Sequence, residues 1–230
     1  MELMIKKIIN KFYPTYKGKF DGKEFEVNNW DLSNFILDKI IPAVGVRPFP
    51  LSELSLMVSS VAWVSPSHIF EWGTHIGKSA RIFYETSKFL KINTQIHSID
   101  LPEEIEHAEH PHSKRGKLVR GKKNVFLHLG DGVDTALKLY ESLEKNAKVL
   151  FYLDGDHSYE MVYREMFSIL KKVEHPYIIL HDTFKQTEES NYNIGPSKAI
   201  DDIILEFKDI KFKRIDTYTG LPGMTFLYTC

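Results

Sequence analysis

Five short segments of this 230-residue chain concentrate side chains able to do chemistry. The first reads Glu71-Trp72-Gly73-Thr74-His75-Ile76-Gly77-Lys78-Ser79. Glycines four apart let the backbone turn tightly, approach a ligand and aim a following helix N-terminus at it. Neither common phosphate loop is present. G-x-G-x-x-G is absent, and Gly73-x-x-x-Gly77-Lys78-Ser79 is one residue short of a P-loop. Asp100 could accept hydrogen bonds from adjacent ribose hydroxyls; taken alone it reads better as a cap on the turn with Pro102. Asp131, between Gly130 and Gly132, either bonds an adenine amine or caps a helix starting at Val133. Asp154-Gly155-Asp156-His157 and His181-Asp182-Thr183 then set carboxylates beside imidazoles that titrate near neutrality.

These residues need a scaffold that gathers them. Each segment follows a short apolar run: 68–72, 95–99, 125–129, 149–153 and 177–180. Amphipathic helical patterns lie between most of the runs, at 78–90, 133–143 and 159–171, with another at 197–207. Short apolar strands alternating with longer helices predict a parallel sheet covered on both faces. Runs at 212–216 and 224–228 flank Gly220-Leu221-Pro222-Gly223 and predict an antiparallel hairpin at one edge. The expected fold is α/β: a doubly wound, mostly parallel seven-stranded sheet with helices on both faces and an antiparallel C-terminal strand. Ligands of such sheets bind beyond the carboxyl ends of the strands, where the acids and glycines sit.

Upstream, Asp31 is expected to cap a helix from Leu32 to Ile41 that Pro42 and Gly45 close, and Ser52 and Glu53 to open a second, ending near Trp63. Residues 1–50 are read as a helical extension and 51–230 as the main domain. Met4, Ile5, Ile8, Ile9 and Phe12 form a helical stripe suited to docking on its own domain, with a membrane surface as the alternative.

Composition removes several classes. Thirty Lys+Arg against 31 Asp+Glu give a formal charge of −1, so no general electrostatic case exists for a nucleic-acid partner. No stretch approaches the roughly 18 to 20 apolar residues of a membrane span. The single cysteine, Cys230, allows no intrachain disulfide and no thiolate zinc site, which fits a reducing, cytoplasmic setting.

The ordered series Glu71-x-Gly73-x-x-x-Gly77, Asp100, Gly130-Asp131-Gly132, Asp154 and Asp182 resembles the successive motifs of class I S-adenosylmethionine-dependent methyltransferases, over about residues 65–230. Tyr152-Leu153-Asp154-Gly155-Asp156-His157-Ser158-Tyr159 and Ile179-Leu180-His181-Asp182-Thr183 resemble the metal-dependent O-methyltransferases. The nearest branch holds the cephalosporin-hydroxylase-like and macrolide-sugar enzymes. The resemblance implies that Glu71, Gly73, Thr74, Gly77 and Ser79 line the methionine end of the cofactor. Asp100 would hold the ribose, and Gly130 and Asp131 would meet the adenine. Asp154 and Asp182 would bind Mg²⁺, and His157 would act as the base. The acceptor would be a hydroxyl of a sugar or other small molecule. One departure stands out, since the sugar enzymes carry Glu-Asp where this chain has His181-Asp182. Mg²⁺ prefers oxygen ligands, so His181 implies a weaker site, a softer ion such as Mn²⁺ with His181 as a ligand, or no metal.

Other readings compete. Asp154-Gly155-Asp156 is a D-x-D that could hold Mn²⁺ and the diphosphate of a nucleotide sugar in a glycosyltransferase, though it leaves Glu71, Gly77 and Asp100 unexplained. A cofactor-binding but non-catalytic partner subunit is a further alternative. Residues 103–123, with His107, His110 and His112 followed by a basic run, read as a solvated helix or as a lid. The 184–195 loop, with Phe184 and Tyr192, is placed to meet the acceptor. A homo-oligomer is compatible with all of these readings.

Overall fold

The computed structural model describes residues 27–105, 112–190, 192–217 and 220–229. The stripe at residues 4–12, His107, His110 and Cys230 therefore lie outside the described residues. Helix α1 (Asn29–Phe35) runs through a π-helical turn (Ile36–Ile40) into α2 (Ile41–Val44), and α3 (Leu51–Val64) follows. The core then alternates β1 (His68–Trp72), α4 (Lys78–Leu90), β2 (Gln95–Asp100), β3 (Val125–Leu129), α5 (Gly132–Tyr140), β4 (Val149–Leu153), α6 (Tyr159–Lys172), β5 (Tyr177–His181) and α7 (Gly195–Glu206). Strands β6 (Phe212–Asp216) and β7 (Met224–Thr229) complete it.

The sheet order is β3-β2-β1-β4-β5-β7-β6, with the first five strands mutually parallel and β7 antiparallel to both β5 and β6. This is the expected doubly wound sheet, with β6 at one edge. Alternation splits the apolar strand residues between two cores. Ile69, Ile96, Leu150, Tyr152, Ile179 and Phe226 pack under α1 to α4. On the opposite face Phe70, Trp72, Ile99, Phe151, Leu153 and Leu180 pack under α5 to α7. Leu32, Phe35, Ile36, Ile40 and Phe49 belong to the first core, so residues upstream of 51 share it.

Three local expectations change. The first helix is capped by Asn28, whose side chain accepts from the Asp31 N–H at 3.2 Å, while Asp31 lies inside the first turn. An asparagine three residues earlier meets the free N–H groups first. Pro42 does not stop the helix, because it falls in the first turn of the segment that resumes after the π-helical turn. The charged helix expected within 103–123 is not formed among its described residues, which hold a 3₁₀ turn at His112–Lys114 and further turns. Backbone bonds from Gly116 to His75 (2.8 Å) and from Leu118 to Ile76 (2.9 Å) tie this stretch to the β1–α4 loop instead. Among the described residues, no helix is long and apolar enough to cross a membrane.

Candidate active site

Parallel register places the first chemical residues side by side. Glu71 stands opposite Ser98 of β2 and Tyr152 of β4. The Ser98 hydroxyl donates to Glu71 Oε1 at 2.5 Å and lies 2.7 Å from Thr74 Oγ1. Glu71 is fully buried, and burial lifts its carboxyl to about 7 against the opposing contacts of Ser98 and Ser79. After β1 the chain turns through Gly73, at φ +94°, where an added Cβ would lie 2.0 Å from the Asp154 carbonyl oxygen. Only glycine allows the β1 and β4 ends to meet this closely. Gly77, at φ +84°, ends the same loop, its N–H bonded to Thr74 O at 2.7 Å, and opens α4. Ser79 is buried in the first turn of that helix.

Asp100 ends β2 and is held on two sides. Its Oδ1 accepts from the Leu101 N–H and its Oδ2 from Arg115 Nε, both at 2.9 Å. Gly130 ends β3 beside it, bonding Asp100 O at 2.9 Å. Asp131 caps α5 through the Asp134 N–H (3.0 Å) and takes Arg164 at 2.8 Å. Burial acts against its charge, but these partners hold its pKa below the usual carboxylate value.

The remaining acids and histidines converge past β4 and β5. His157 sits between two carboxylates, with Nε2 3.4 Å from Asp154 Oδ1 and Nδ1 3.2 Å from Asp182 Oδ2. Burial would lower its pKa, yet Asp154 and Asp182 outweigh that and raise it. His181 Nδ1 lies 2.9 Å from Asp154 Oδ1, and its Nε2 meets Glu53 Oε2 at 3.1 Å. Its burial is likewise outweighed, by Asp154, Glu53 and Asp182, which raise its pKa well above the ordinary value. Asp154, though buried against ionisation, is driven strongly acidic by the two imidazoles, and Tyr152 donates to its Oδ2 at 3.1 Å. Asp182 takes a left-handed backbone, φ +57°, unusual for a non-glycine residue. Bonds from Tyr192 (3.1 Å) and Asn193 (2.9 Å) fix its carboxylate, offsetting that strain.

Asp154, His157 and His181 each bring a ligand atom within 4.8 Å of the others, a spacing that could hold a metal ion. His157 Nε2 and His181 Nδ1 are buried and make no hydrogen bond. Beside His157 opens a cavity of about 320 Å³ lined by Tyr159, Tyr192, Asn193, Ile194 and Gly195. The second acid of the D-x-D points elsewhere, because the exposed Asp156 accepts from the Ser158 N–H at 2.7 Å ahead of α6.

The family model for rhamnosyl O-methyltransferase/CmcI matches residues 50–221, three quarters of the chain. The chain belongs to that family. Rhamnosyl O-methyltransferase/CmcI proteins are S-adenosylmethionine-dependent O-methyltransferases, and so is this chain. Solved structures share the fold at low identity. An O-methyltransferase from Bacillus cereus in complex with SAH has a TM-score of 0.57 at 14% identity, covering 99% of this chain and 97% of that one. The O-methyltransferase TomG from Streptomyces achromogenes, in complex with SAM, has a TM-score of 0.56 at 12% identity, covering 98% and 96%. SAH-bound PaMTH1 from Podospora anserina has 0.54 at 14%, covering 98% and 94%. No curated protein matches the chain. The glycosyltransferase and non-catalytic readings are not favoured by these matches.

In this family member the structure gathers Asp154, His157, His181 and Asp182 into one cluster, with Glu71, Gly73 and Thr74 beside it and Asp100, Gly130 and Asp131 along the neighbouring strand ends. Sequence reasoning missed Glu53, Ser98, Tyr152, Arg115 and Arg164 as partners of these groups. Tyr152 had a legible signal, since it precedes Asp154 by two positions and so shares its face of the strand. Glu53 had none beyond an acid in a helix's first turn.

Proposed function

We propose that this enzyme methylates a hydroxyl of a sugar or another hydroxylated small molecule, with His157 as general base and a divalent ion assisting. The observation that carries the reading is the His157 ring, held between Asp154 and Asp182 at the edge of the cavity lined by Tyr159 and Tyr192. Bound S-adenosylmethionine supplies an electrophilic sulfonium methyl, which leaves the protein to position the acceptor and take its proton.

The donor chemistry fits the cofactor. Two of the roughly four acceptor directions on the Asp100 carboxylate are taken by Leu101 and Arg115, which leaves capacity for ribose hydroxyls. Glu71, Gly73, Thr74, Gly77 and Ser79 form the loop assigned to the methionine end, and Gly130 and Asp131 the edge assigned to the adenine. For the base, Asp182 Oδ2 lies 3.2 Å from Nδ1 of His157, while Nε2, 3.4 Å from Asp154 Oδ1, makes no hydrogen bond. His157 Nε2 takes the acceptor proton, and the carboxylate at Nδ1 stabilises the imidazolium formed. Tyr159 and Tyr192 line the cavity that a sugar or aromatic acceptor would enter.

The donor set also fits a divalent ion, with His181 Nδ1 and Asp154 Oδ1 as neighbouring donors and Asp182 beside them. Such an ion would polarise the acceptor oxygen. Within the 1–50 extension, the described residues from 27 on we take as helices docked on the methyltransferase domain of 51–230, a view supported by the packing of Phe35 and Ile40 into its core.

The test is transfer of labelled methyl from S-adenosylmethionine to a panel of hydroxylated acceptors, with His157→Asn beside the wild type. The variant should lose about 10²- to 10⁴-fold in rate at unchanged S-adenosylhomocysteine affinity. Full turnover in the variant contradicts the base assignment.

A further inference from the structure

His181 reaches back across 128 positions to Glu53 of α3. Glu53 is 1% exposed, and its two oxygens are divided: Oε1 accepts from the Gly223 N–H at 2.8 Å and Oε2 meets His181 Nε2 at 3.1 Å. With its proton on Nε2, His181 directs a bare Nδ1 at Asp154 Oδ1, 2.9 Å away. Two lone-pair atoms that close repel unless a cation joins them. In the metal-free site a proton can serve as that cation, and an incoming metal ion displaces it.

We propose that Glu53 is a positioning residue that sets the His181 tautomer, so that Nδ1 and the Asp154 carboxylate form a mixed nitrogen–oxygen metal site selective for a transition ion such as Mn²⁺, Co²⁺ or Zn²⁺ over Mg²⁺. The reasoning is ligand softness, because imidazole suits these ions and Mg²⁺ holds out for oxygen. A carboxylate behind a ligating histidine fixes its ring and raises its basicity. The inference rests on the metal-assisted reading above.

Glu53→Gln is a sharp probe. Gly223 N–H still demands the side-chain carbonyl, so the new amide must point its N–H groups at His181 Nε2. That pushes the imidazole proton onto Nδ1 and closes the donor. The full-length protein, stripped of metal, is titrated with Co²⁺ by visible absorption and with Mn²⁺ and Mg²⁺ by calorimetry, with S-adenosylhomocysteine binding measured alongside. The wild type should prefer Mn²⁺ and Co²⁺ to Mg²⁺, and Glu53→Gln should bind them about 10- to 100-fold more weakly with cofactor affinity kept. His181→Asp, which restores an all-oxygen site, should reverse the preference towards Mg²⁺ and decides the matter if Glu53→Gln fails to fold. Equal metal binding by Glu53→Gln and wild type, a wild-type preference for Mg²⁺, or no metal binding beside normal cofactor binding each overturn the inference. The last of these leaves methyl transfer standing; absence of cofactor binding in the wild type would strike that reading instead.

Discussion

Arg115 holds Asp100 at the end of β2, its Nε 2.9 Å from Oδ2, while its terminal nitrogen bonds the Leu101 carbonyl at 2.9 Å. The arginine thereby fastens the turn after His112 to the strand end assigned to the ribose. It neutralises the carboxylate's charge without using up its acceptor capacity. Asp100→Ala should weaken S-adenosylhomocysteine binding by about 1–3 kcal/mol, the loss expected when buried hydrogen bonds go unmade. Arg115→Ala should cost less, because the carboxylate remains. Calorimetric titration of both variants separates the cases, and unchanged affinity in Asp100→Ala would remove the ribose role.

Gly73→Ala should be severe. The left-handed backbone costs an L-residue about 1–2 kcal/mol, and the new Cβ would meet backbone, the Asp154 carbonyl at 2.0 Å, which cannot swing aside. Thermal unfolding should report a loss above that range, and methyl transfer should fall with it, since the same contact joins the loop assigned to the cofactor to Asp154. A variant as stable and active as the wild type would show that β1 and β4 do not meet as described.

The strand ends were legible because a parallel sheet buried on both faces leaves apolar runs that stop where polar chemistry starts. Runs 68–72, 125–129 and 149–153 coincide with β1, β3 and β4. Acids at 71, 100, 154 and 182 stood out against that background. Their partners did not. Glu53 pairs with a histidine 128 positions away, a distance over which no local pattern carries information. Arg115 was one cation in a basic run, and Arg164 one polar residue on an amphipathic helix, until the fold set them against Asp100 and Asp131. The first helix start was misplaced for a different reason, since Asn28 and Asp31 are both good caps and only the backbone path chooses.

Glu165 gives a pH signature apart from the Asp154, His157 and His181 cluster. It is buried on α6 beside the Trp72 indole, and burial, helped by the Asp131 charge, lifts its carboxyl to about 8. A folded-state value above the unfolded 4.5 means the folded protein binds this proton more tightly. The associated stability is complete below about pH 4.5 and is lost as pH rises through about 8. Glu165→Gln should therefore match the wild type near pH 5 and exceed it near pH 9, by on the order of 3 kcal/mol. Denaturant titrations at the two pH values check this; a constant difference between them would show that Glu165 does not titrate in that window.

The central claim, methyl transfer from S-adenosylmethionine at these strand ends, is tested most directly by thermal unfolding with S-adenosylhomocysteine, with UDP-sugars plus Mn²⁺ as the contrast. Ligand at about a hundred times Kd adds roughly 2.7 kcal/mol to a one-site protein, a rise of roughly 5–10 °C for a chain this size. The account predicts that rise with S-adenosylhomocysteine and a smaller one in Asp100→Ala at the same ligand concentration. A rise with UDP-sugar and Mn²⁺ alone, and none with S-adenosylhomocysteine, would contradict it.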